Sequence, residues 1–143
     1  MVQVKLDDLE IDTWGEYYEW QGKPFTGIAY DLYSNGQKCI EIEVVDGFEE
    51  GAVRQWYSSG EIKLEGSGKF GEPFTWSKEW FENGVLKRET LAEFHIRVKE
   101  TVWNENGQII SEYERSPLDR KLIESSKAAE LNTLKQRKEL SNR

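Results

Sequence analysis

Tyr33-Ser34-Asn35-Gly36-Gln37 decides the fold of this chain, because a related motif returns three more times at a nearly fixed interval. The later copies are Tyr57-Ser58-Ser59-Gly60-Glu61, Phe81-Glu82-Asn83-Gly84-Val85 and Asn104-Glu105-Asn106-Gly107-Gln108, and the four glycines are 24, 24 and 23 residues apart. Asn-Gly between alternating runs is typical of a β-hairpin tip, since a type I′ turn needs positive φ at both central residues. Each motif is therefore predicted to be a two-residue hairpin turn.

A second series of glycines, Gly22, Gly47 and Gly71, recurs between the tips and marks the returns at the opposite ends of the strands. Two strands per repeat, joined alternately at the two ends, form a meander in which each repeat stacks on the next. We expect a mainly β fold: one long, twisted, antiparallel sheet of tandem hairpins of about 24 residues. This sheet should occupy residues 1–116, with residues 1–21 as a degenerate opening hairpin or cap.

The C-terminal segment, residues 117–143, follows different rules. Ser116-Pro117-Leu118-Asp119 combines a capping hydroxyl, a proline at the first helical position and an acid in the first turn. A C-terminal α-helix to about Leu140 is predicted. Its apolar stripe is loose, so the sequence does not say which face of the sheet it covers.

Counting outward from a two-residue tip predicts which residues pair and which share a face. A mainly apolar core face should contain Tyr33, Lys38, Tyr57, Ile62, Phe81, Leu86, Ala29, Ile40, Ile42, Val53 and Leu64. The other face should be aromatic and charged, with the pairs Leu32–Cys39, Trp56–Lys63, Trp80–Lys87, Trp103–Ile110, Tyr30–Glu41, Arg54–Glu65, Lys78–Glu89 and Thr101–Glu112.

The charge is unevenly distributed along the chain. The formal net charge is −8, yet residues 117–143 hold seven Lys/Arg against four Asp/Glu, which leaves 12 against 23 in residues 1–116. An acidic body repels nucleic acid and anionic lipid and attracts basic proteins. No secretory signal, membrane-spanning run or cysteine pair is recognisable, so a cytoplasmic protein is expected.

Catalytic chemistry has little support in the sequence. Cys39 and His95 are the candidates for nucleophilic or acid–base work, and they lie two repeats apart without an orienting third group. Metal-ligand spacing, a phosphate-binding loop and a dinucleotide motif are not found. We expect no enzyme, no metal and no cofactor.

The segment from Gly22-Lys23-Pro24-Phe25-Thr26-Gly27-Ile28-Ala29 through Tyr33-Ser34-Asn35-Gly36 to Asp46-Gly47 and Gly51, with the later tips, resembles variant MORN repeats over about residues 17–113. Thr75 stands where Gly27 and Gly51 stand, Ser59 replaces the turn asparagine, and the fourth repeat is one residue shorter. Bacterial proteins with this repeat variant are often antitoxins or immunity proteins. The resemblance implies a protein that neutralises a toxin by binding it.

Two repeated features admit both a structural and a binding interpretation. Glu41, Glu65, Glu89 and Glu112 could present an acidic ladder to a partner, or could pair across strands with Arg54 and Lys78. Trp56, Trp80 and Trp103 could form an aromatic binding stripe, or could pack under the C-terminal helix.

The expected function is stoichiometric binding of a basic toxin encoded nearby, with a nuclease as the expected class, whose active site this protein would cover. Predicted partner-binding residues are Trp56, Trp80 and Trp103 as apolar anchors, with Glu49, Glu50, Glu72 and Glu79 as electrostatic partners. The protein itself should be a monomer or self-associate weakly. The alternative is a MORN-like scaffold that self-associates through an uncovered edge strand.

Overall fold

A long mixed sheet dominates the structure, a computed structural model that describes residues 1–69, 75–93 and 96–142. In chain order the strands are β1 (Gln3–Lys5), β2 (Glu10–Ile11), β3 (Tyr18–Trp20), β4 (Lys23–Pro24), β5 (Gly27–Leu32), β6 (Lys38–Val45), β7 (Phe48–Trp56), β8 (Ile62–Lys69), β9 (Trp76–Trp80), β10 (Leu86–Glu93), β11 (Ile96–Trp103) and β12 (Ile109–Glu114). A 3₁₀ turn (Leu6–Asp8) follows β1, and one α-helix, α1 (Pro117–Ser141), ends the described chain. The predicted mainly β fold with a C-terminal helix is confirmed.

The large sheet follows the repeat. Its described strands lie in the order β1, β5, β6, β7, β8, β9, β10, β11, β12, and from β5 onward neighbours in sequence are antiparallel neighbours in space. The exception is β1, which pairs parallel with β5 and places Val4 opposite Ala29. The sheet is therefore mixed, not purely antiparallel, because the N-terminal segment covers the open side of β5. The intervening small sheet, β2–β3–β4, supplies the crossover that a parallel pair requires.

The hairpin tips differ from the predicted two-residue turns. The Gly36 N–H donates to the Tyr33 carbonyl over 2.9 Å, and the Tyr33 N–H donates to the Gln37 carbonyl over 2.8 Å. Gly36 has φ +84°, whereas Asn35 is not among the residues with positive φ. These contacts define a three-residue loop, a type I turn followed by a left-handed glycine in a G1 bulge. The other three tips repeat the same two backbone hydrogen bonds.

This extra loop residue changes the pairs next to each tip and leaves the pairs further away as predicted. Leu32, Trp56, Trp80 and Trp103 pair with Lys38, Ile62, Leu86 and Ile109, and not with Cys39, Lys63, Lys87 and Ile110. A second bulge on the returning strand of each hairpin then shifts the pairing back by one residue, to the predicted register. The predicted pairs Tyr30–Glu41, Arg54–Glu65, Lys78–Glu89 and Thr101–Glu112 are confirmed.

Left-handed pairs of residues occur at the returns instead. Gln21 and Gly22 have φ of 52° and 76°, and Asp46 and Gly47 have φ of 50° and 86°. Each pair joins directly paired residues, as in the Val45–Phe48 pair. These two returns therefore have the positive φ values that type I′ turns require, and the predicted return at Gly71 lies outside the described residues.

The main apolar core lies at the N-terminal end of the large sheet. Its buried residues are Val4, Leu9, Tyr18, Phe25, Ala29, Ile42 and Val44, with Leu6, Trp20, Ile40 and Val53 packed against them. The cap thus covers the face that carries Ala29, Ile42 and Val53, which we call the core face. Its apolar character agrees with the sequence prediction for those three residues.

Further along the sheet the core face becomes polar. By register, Val53 is followed across the strands by Gly66, Ser77, Thr90 and Glu100. The buried apolar side chains among the described residues of this half are Val98 and the helical Ile123, with 1% and 2% exposure. Helix α1 starts at Pro117 with Ser116 as its N-cap, and Lys127 lies 3.5 Å from Glu93 at the return end of β10. No described helix has both the length and the apolar character needed to cross a bilayer.

Replacing Gly47 by alanine should destabilise the protein more than replacing Gly84. Both glycines have almost the same left-handed φ, so both variants lose about 1–2 kcal/mol from backbone conformation. A Cβ at Gly47 would also overlap the Tyr17 ring, whereas nothing lies within 4 Å of one at Gly84. We expect about 1–3 kcal/mol of additional loss for Gly47→Ala in urea unfolding. Equal losses would show that Tyr17 moves aside freely.

Candidate protein-binding surface

Three tryptophans form a row near the tips on the face opposite the core. Trp56, Trp80 and Trp103 end strands β7, β9 and β11, and each is half-buried. Period-two alternation places them on the face of Arg54, Lys78 and Thr101. Because they occupy every second strand, neighbouring tryptophans are roughly 10 Å apart along the row. We call these three residues the tryptophan row.

The first two tips each hold the tryptophan strand of the next repeat through a tyrosine hydroxyl. The Tyr33 hydroxyl donates to the Trp56 carbonyl over 2.7 Å, and the Tyr57 hydroxyl donates to the Trp80 carbonyl over the same distance. Burial, followed by Glu82 and Glu79, raises the pKa of the Tyr57 hydroxyl, which keeps it protonated as a donor. The Trp56 and Trp80 backbone carbonyls are thereby held by the neighbouring tips in the free protein.

The tips also contact one another directly. The Asn35 side-chain amide donates to the Ser58 carbonyl over 2.9 Å, and Asn83 donates to the Glu105 carbonyl over 3.3 Å. The four tips consequently lie side by side at one end of the strands, the tip end.

A row of charged residues crosses the sheet next to the tryptophan row. In register order it contains Glu41, Arg54, Glu65, Lys78, Glu89, Thr101 and Glu112. Arg54 lies 3.2 Å from Glu65, and Lys78 lies 3.9 Å from Glu89. These are partly exposed ion pairs, worth about 0–1 kcal/mol each. The structural interpretation of the glutamates therefore holds for Glu65 and Glu89.

The same face contains a shallow groove of about 340 Å³ on its return side. It is lined by Trp76, Ser77, Lys78, Glu89 and Leu91. A large aromatic side chain and a partly exposed leucine beside an ion pair give this groove both apolar and polar contacts. Its Trp76 and Leu91 lie on the side of the charged row away from the tryptophan row.

Two of the four glutamates predicted to accompany the tryptophans, Glu49 and Glu79, lie elsewhere. Glu49 accepts a hydrogen bond of 2.7 Å from the buried Tyr18 hydroxyl, and Glu79 lies 3.6 Å from Arg88 on the face opposite the tryptophan row. Glu50 is exposed near the return end, opposite Lys69 in the register. Glu72 lies outside the described residues. The structure therefore does not bring Glu49 and Glu79 together with the tryptophans.

Other side chains at the tip end were not among the predicted site residues. Glu61, Glu82 and Glu105 are exposed tip acids. Lys63 and Lys87 lie over the rings of Tyr57 and Phe81, with 5.6 and 5.5 Å to the ring centroids. The three acids lie within the repeated motif, and the two lysines lie three residues after its glycine, so aligning the tips by their glycines would have found them.

Ile109 and Ile110 continue the apolar character beyond Trp103. They are 54% and 63% exposed, and Ile109 pairs with Trp103. The helix leaves this region open, because its contact with Glu93 and its buried Ile123 place it at the return end of the strands. The tryptophan row is therefore not packed under the helix.

The candidates for catalysis are not assembled into a site. Cys39 is a half-buried free cysteine next to the first tip, and His95 lies outside the described residues. Among the described residues, no group of three or more His, Cys, Asp or Glu side chains is arranged to hold a metal ion.

Comparisons of the chain with protein-family models, with curated proteins and with solved structures find no match.

Removing the tip hydroxyls should weaken the sheet, and adding one should strengthen it. Tyr33→Phe and Tyr57→Phe each lose one hydrogen bond to a tryptophan carbonyl, with an expected cost of about 1 kcal/mol. Phe81 occupies the same place in the third tip, so Phe81→Tyr should gain a similar amount by reaching the Trp103 carbonyl. Urea unfolding measures all three. Unchanged stability in both phenylalanine variants would contradict the role of these bonds.

Stability should fall at alkaline pH through Tyr18. Burial, followed by the hydrogen bond to Glu49, raises the pKa of Tyr18 above its ordinary value. Its stabilising contribution is therefore complete below about pH 10, the unfolded value, and is lost as the pH rises further. Tyr18→Phe should reduce the slope of unfolding free energy against pH above about pH 10 by up to about 1.4 kcal/mol per unit. Parallel slopes for the two proteins would contradict this assignment.

Proposed function

We propose that this protein is a stoichiometric binding module that neutralises a basic protein toxin by covering its active site. The observation that carries the proposal is the tryptophan row: three large aromatic side chains repeated on one face, partly exposed and left open by the helix. Tryptophan is enriched among residues that dominate binding energy at protein interfaces. A surface of this kind suits a flat partner better than a small ligand.

Charge supports a basic partner. Residues 1–116 carry 12 Lys/Arg against 23 Asp/Glu, and the charged row beside the tryptophans holds four glutamates and two basic residues. A nuclease needs a positively charged groove to hold the phosphate backbone of its substrate. An acidic sheet is complementary to such a groove and would compete with nucleic acid for it.

The resemblance to MORN-type antitoxins and immunity proteins also supports a toxin-binding role. It implies a toxin encoded near this protein, in the same cytoplasm, with inhibition by occupancy and without turnover. In this proposal the tip acids Glu61, Glu82 and Glu105 supply electrostatic contacts at the tip end, in place of Glu49 and Glu79, which have internal partners.

Alanine substitution in the tryptophan row should weaken the complex with the product of a neighbouring toxin gene. Losing one central anchor costs about 2 kcal/mol, so Trp56→Ala and Trp80→Ala should each raise Kd about 30-fold. Titration of nuclease activity should reach full inhibition at equimolar wild-type protein. Association should slow as salt rises, because screening reduces electrostatic steering.

Trp76→Ala is the matched control, because Trp76 lies on the same face but in the return-side groove. It should change Kd much less than the substitutions near the tips. Unfolding of the tip variants would assign Trp56 and Trp80 to structure instead of binding. Failure of the wild-type protein to bind any neighbouring basic product would remove the toxin proposal.

A self-associating scaffold is the second candidate, favoured by the outermost described strand. β12 ends the large sheet, and its Ile109 and Ile110 are more than half exposed. Strand pairing between two copies would bury them, although Glu112 and Glu114 on the same strand would repel their counterparts. Light scattering that finds a dimer in the absence of any partner would favour this candidate.

A further inference from the structure

Trp14 lies on a hydrogen-bonded turn, and no part of the described chain covers its side chain. The turn joins β2 to β3, and the Trp14 side chain is 81% exposed. The Asp12 carboxylate accepts hydrogen bonds from the backbone N–H groups of Glu16 and Tyr17, at 2.7 and 3.2 Å. The Asp12 carbonyl also accepts from the Gly15 N–H over 3.0 Å. The turn that carries the exposed Trp14 is therefore closed by Asp12 and the backbone.

An indole in water is an unusual feature, since tryptophan is highly buried on average and provides much of the apolar contact area at interfaces. No fold requirement explains its exposure, because the turn is closed by Asp12 and Gly15 without the indole. An exposed indole on a hydrogen-bonded turn can contact a partner with large apolar area and only two side-chain torsions to restrict.

The surroundings of Trp14 select the charge of that partner. Residues 6–22 contain six acids and no Lys or Arg, namely Asp7, Asp8, Glu10, Asp12, Glu16 and Glu19. The nearest Lys in the sequence are Lys5 and Lys23, which flank the segment. The charged residues of this segment are therefore all acidic, and Trp14 is its most exposed aromatic residue.

A shallow groove next to the turn combines carboxylates with an apolar floor. Its volume is about 240 Å³, and it is lined by Glu10, Ile11, Asp12, Tyr17 and Glu19. Ile11 is partly exposed there. Such a groove suits an arginine side chain. Its aliphatic stem packs on apolar surface, and its planar guanidinium donates two parallel hydrogen bonds to a carboxylate and stacks on aromatic rings.

We propose that the Trp14 turn and this groove form a second docking site, which binds an arginine-rich segment of a partner protein. The site lies near the Asp46–Gly47 return, where the Tyr18 N–H donates to the Gly47 carbonyl over 2.8 Å, and thus at the opposite end of the strands from the tryptophan row. It goes beyond the proposed function, because it requires only a cationic segment and no toxin. An anionic lipid surface would be repelled by the same six acids.

Fluorine NMR of the full chain labelled with 5-fluorotryptophan tests this site separately from the tryptophan row. The six tryptophans give six resonances, and Trp14→Phe identifies the one from Trp14. A deca-arginine peptide serves as the probe. The Trp14 resonance should shift and saturate, while those of Trp56, Trp80 and Trp103 stay in place. A decalysine peptide should bind several-fold more weakly, because an ammonium group lacks the planar, bidentate geometry.

Paired charge variants locate the binding site. Glu10→Gln with Glu19→Gln should raise the Kd for deca-arginine about tenfold, because both carboxylates line the groove. Glu112→Gln with Glu114→Gln removes the same charge from β12 and should leave the Kd unchanged. Circular dichroism confirms that each pair is folded.

Three results would overturn the proposal. In the first, the Trp14 resonance stays fixed while deca-arginine binds elsewhere. In the second, the two glutamine pairs weaken binding equally, which would mean diffuse attraction to the whole acidic chain. A Trp14 shift that depends on protein concentration without peptide would instead assign the site to a second copy of this chain. The first of these results includes movement of the Trp56, Trp80 or Trp103 resonances with the Trp14 resonance fixed, which would place the peptide on the tryptophan row.

Discussion

The left-handed glycine at each tip is the constraint on which the rest of the sheet depends. At Gly36 the positive φ adds a third residue to the loop and places it on the returning strand, so the outgoing strand keeps its regular alternation. The tryptophans end the outgoing strands β7, β9 and β11. Because those strands contain no inserted residue next to the tip, the three tryptophans lie on the same face. The repeated turn therefore places them at equivalent positions along that face.

The tip sequence predicts the hairpin and its position, and it does not settle the loop length. Asn-Gly can occupy the two central positions of a type I′ turn, or the last two positions of a type I turn with a G1 bulge. The two alternatives differ by one residue in register. Here a second bulge, at the level of Trp56 and Ile62 for example, removes that difference. Pairs such as Arg54–Glu65 were therefore predictable, whereas the pairs next to the tips were not.

Local patterns also fail where contacts between distant segments decide the outcome. β1 is three residues long and belongs to no repeat, so its parallel pairing with β5 follows from the packing of Val4 and Leu9 in the core. Glu49 bonds to Tyr18, 31 residues away, which no local pattern indicates. Glu79 is different: it lies between Lys78 and Trp80, and alternation along β9 already places it on the other face. Trp14 lies outside the repeat, so the repeat pattern does not indicate it as a binding residue.

The apolar core is concentrated at one end of the sheet, and this supports the binding role proposed for the tryptophan row. The apolar cluster gathers at the N-terminal end, where the cap supplies a second layer, and beyond Val53 the core face carries Gly66, Ser77 and Thr90. A sheet with little apolar packing there depends more on its ladder hydrogen bonds and on contacts such as Tyr57 with the Trp80 carbonyl. Those contacts fix the tryptophan backbone in the free protein. Less conformational entropy is then lost on association, so a larger part of the contact energy remains as affinity.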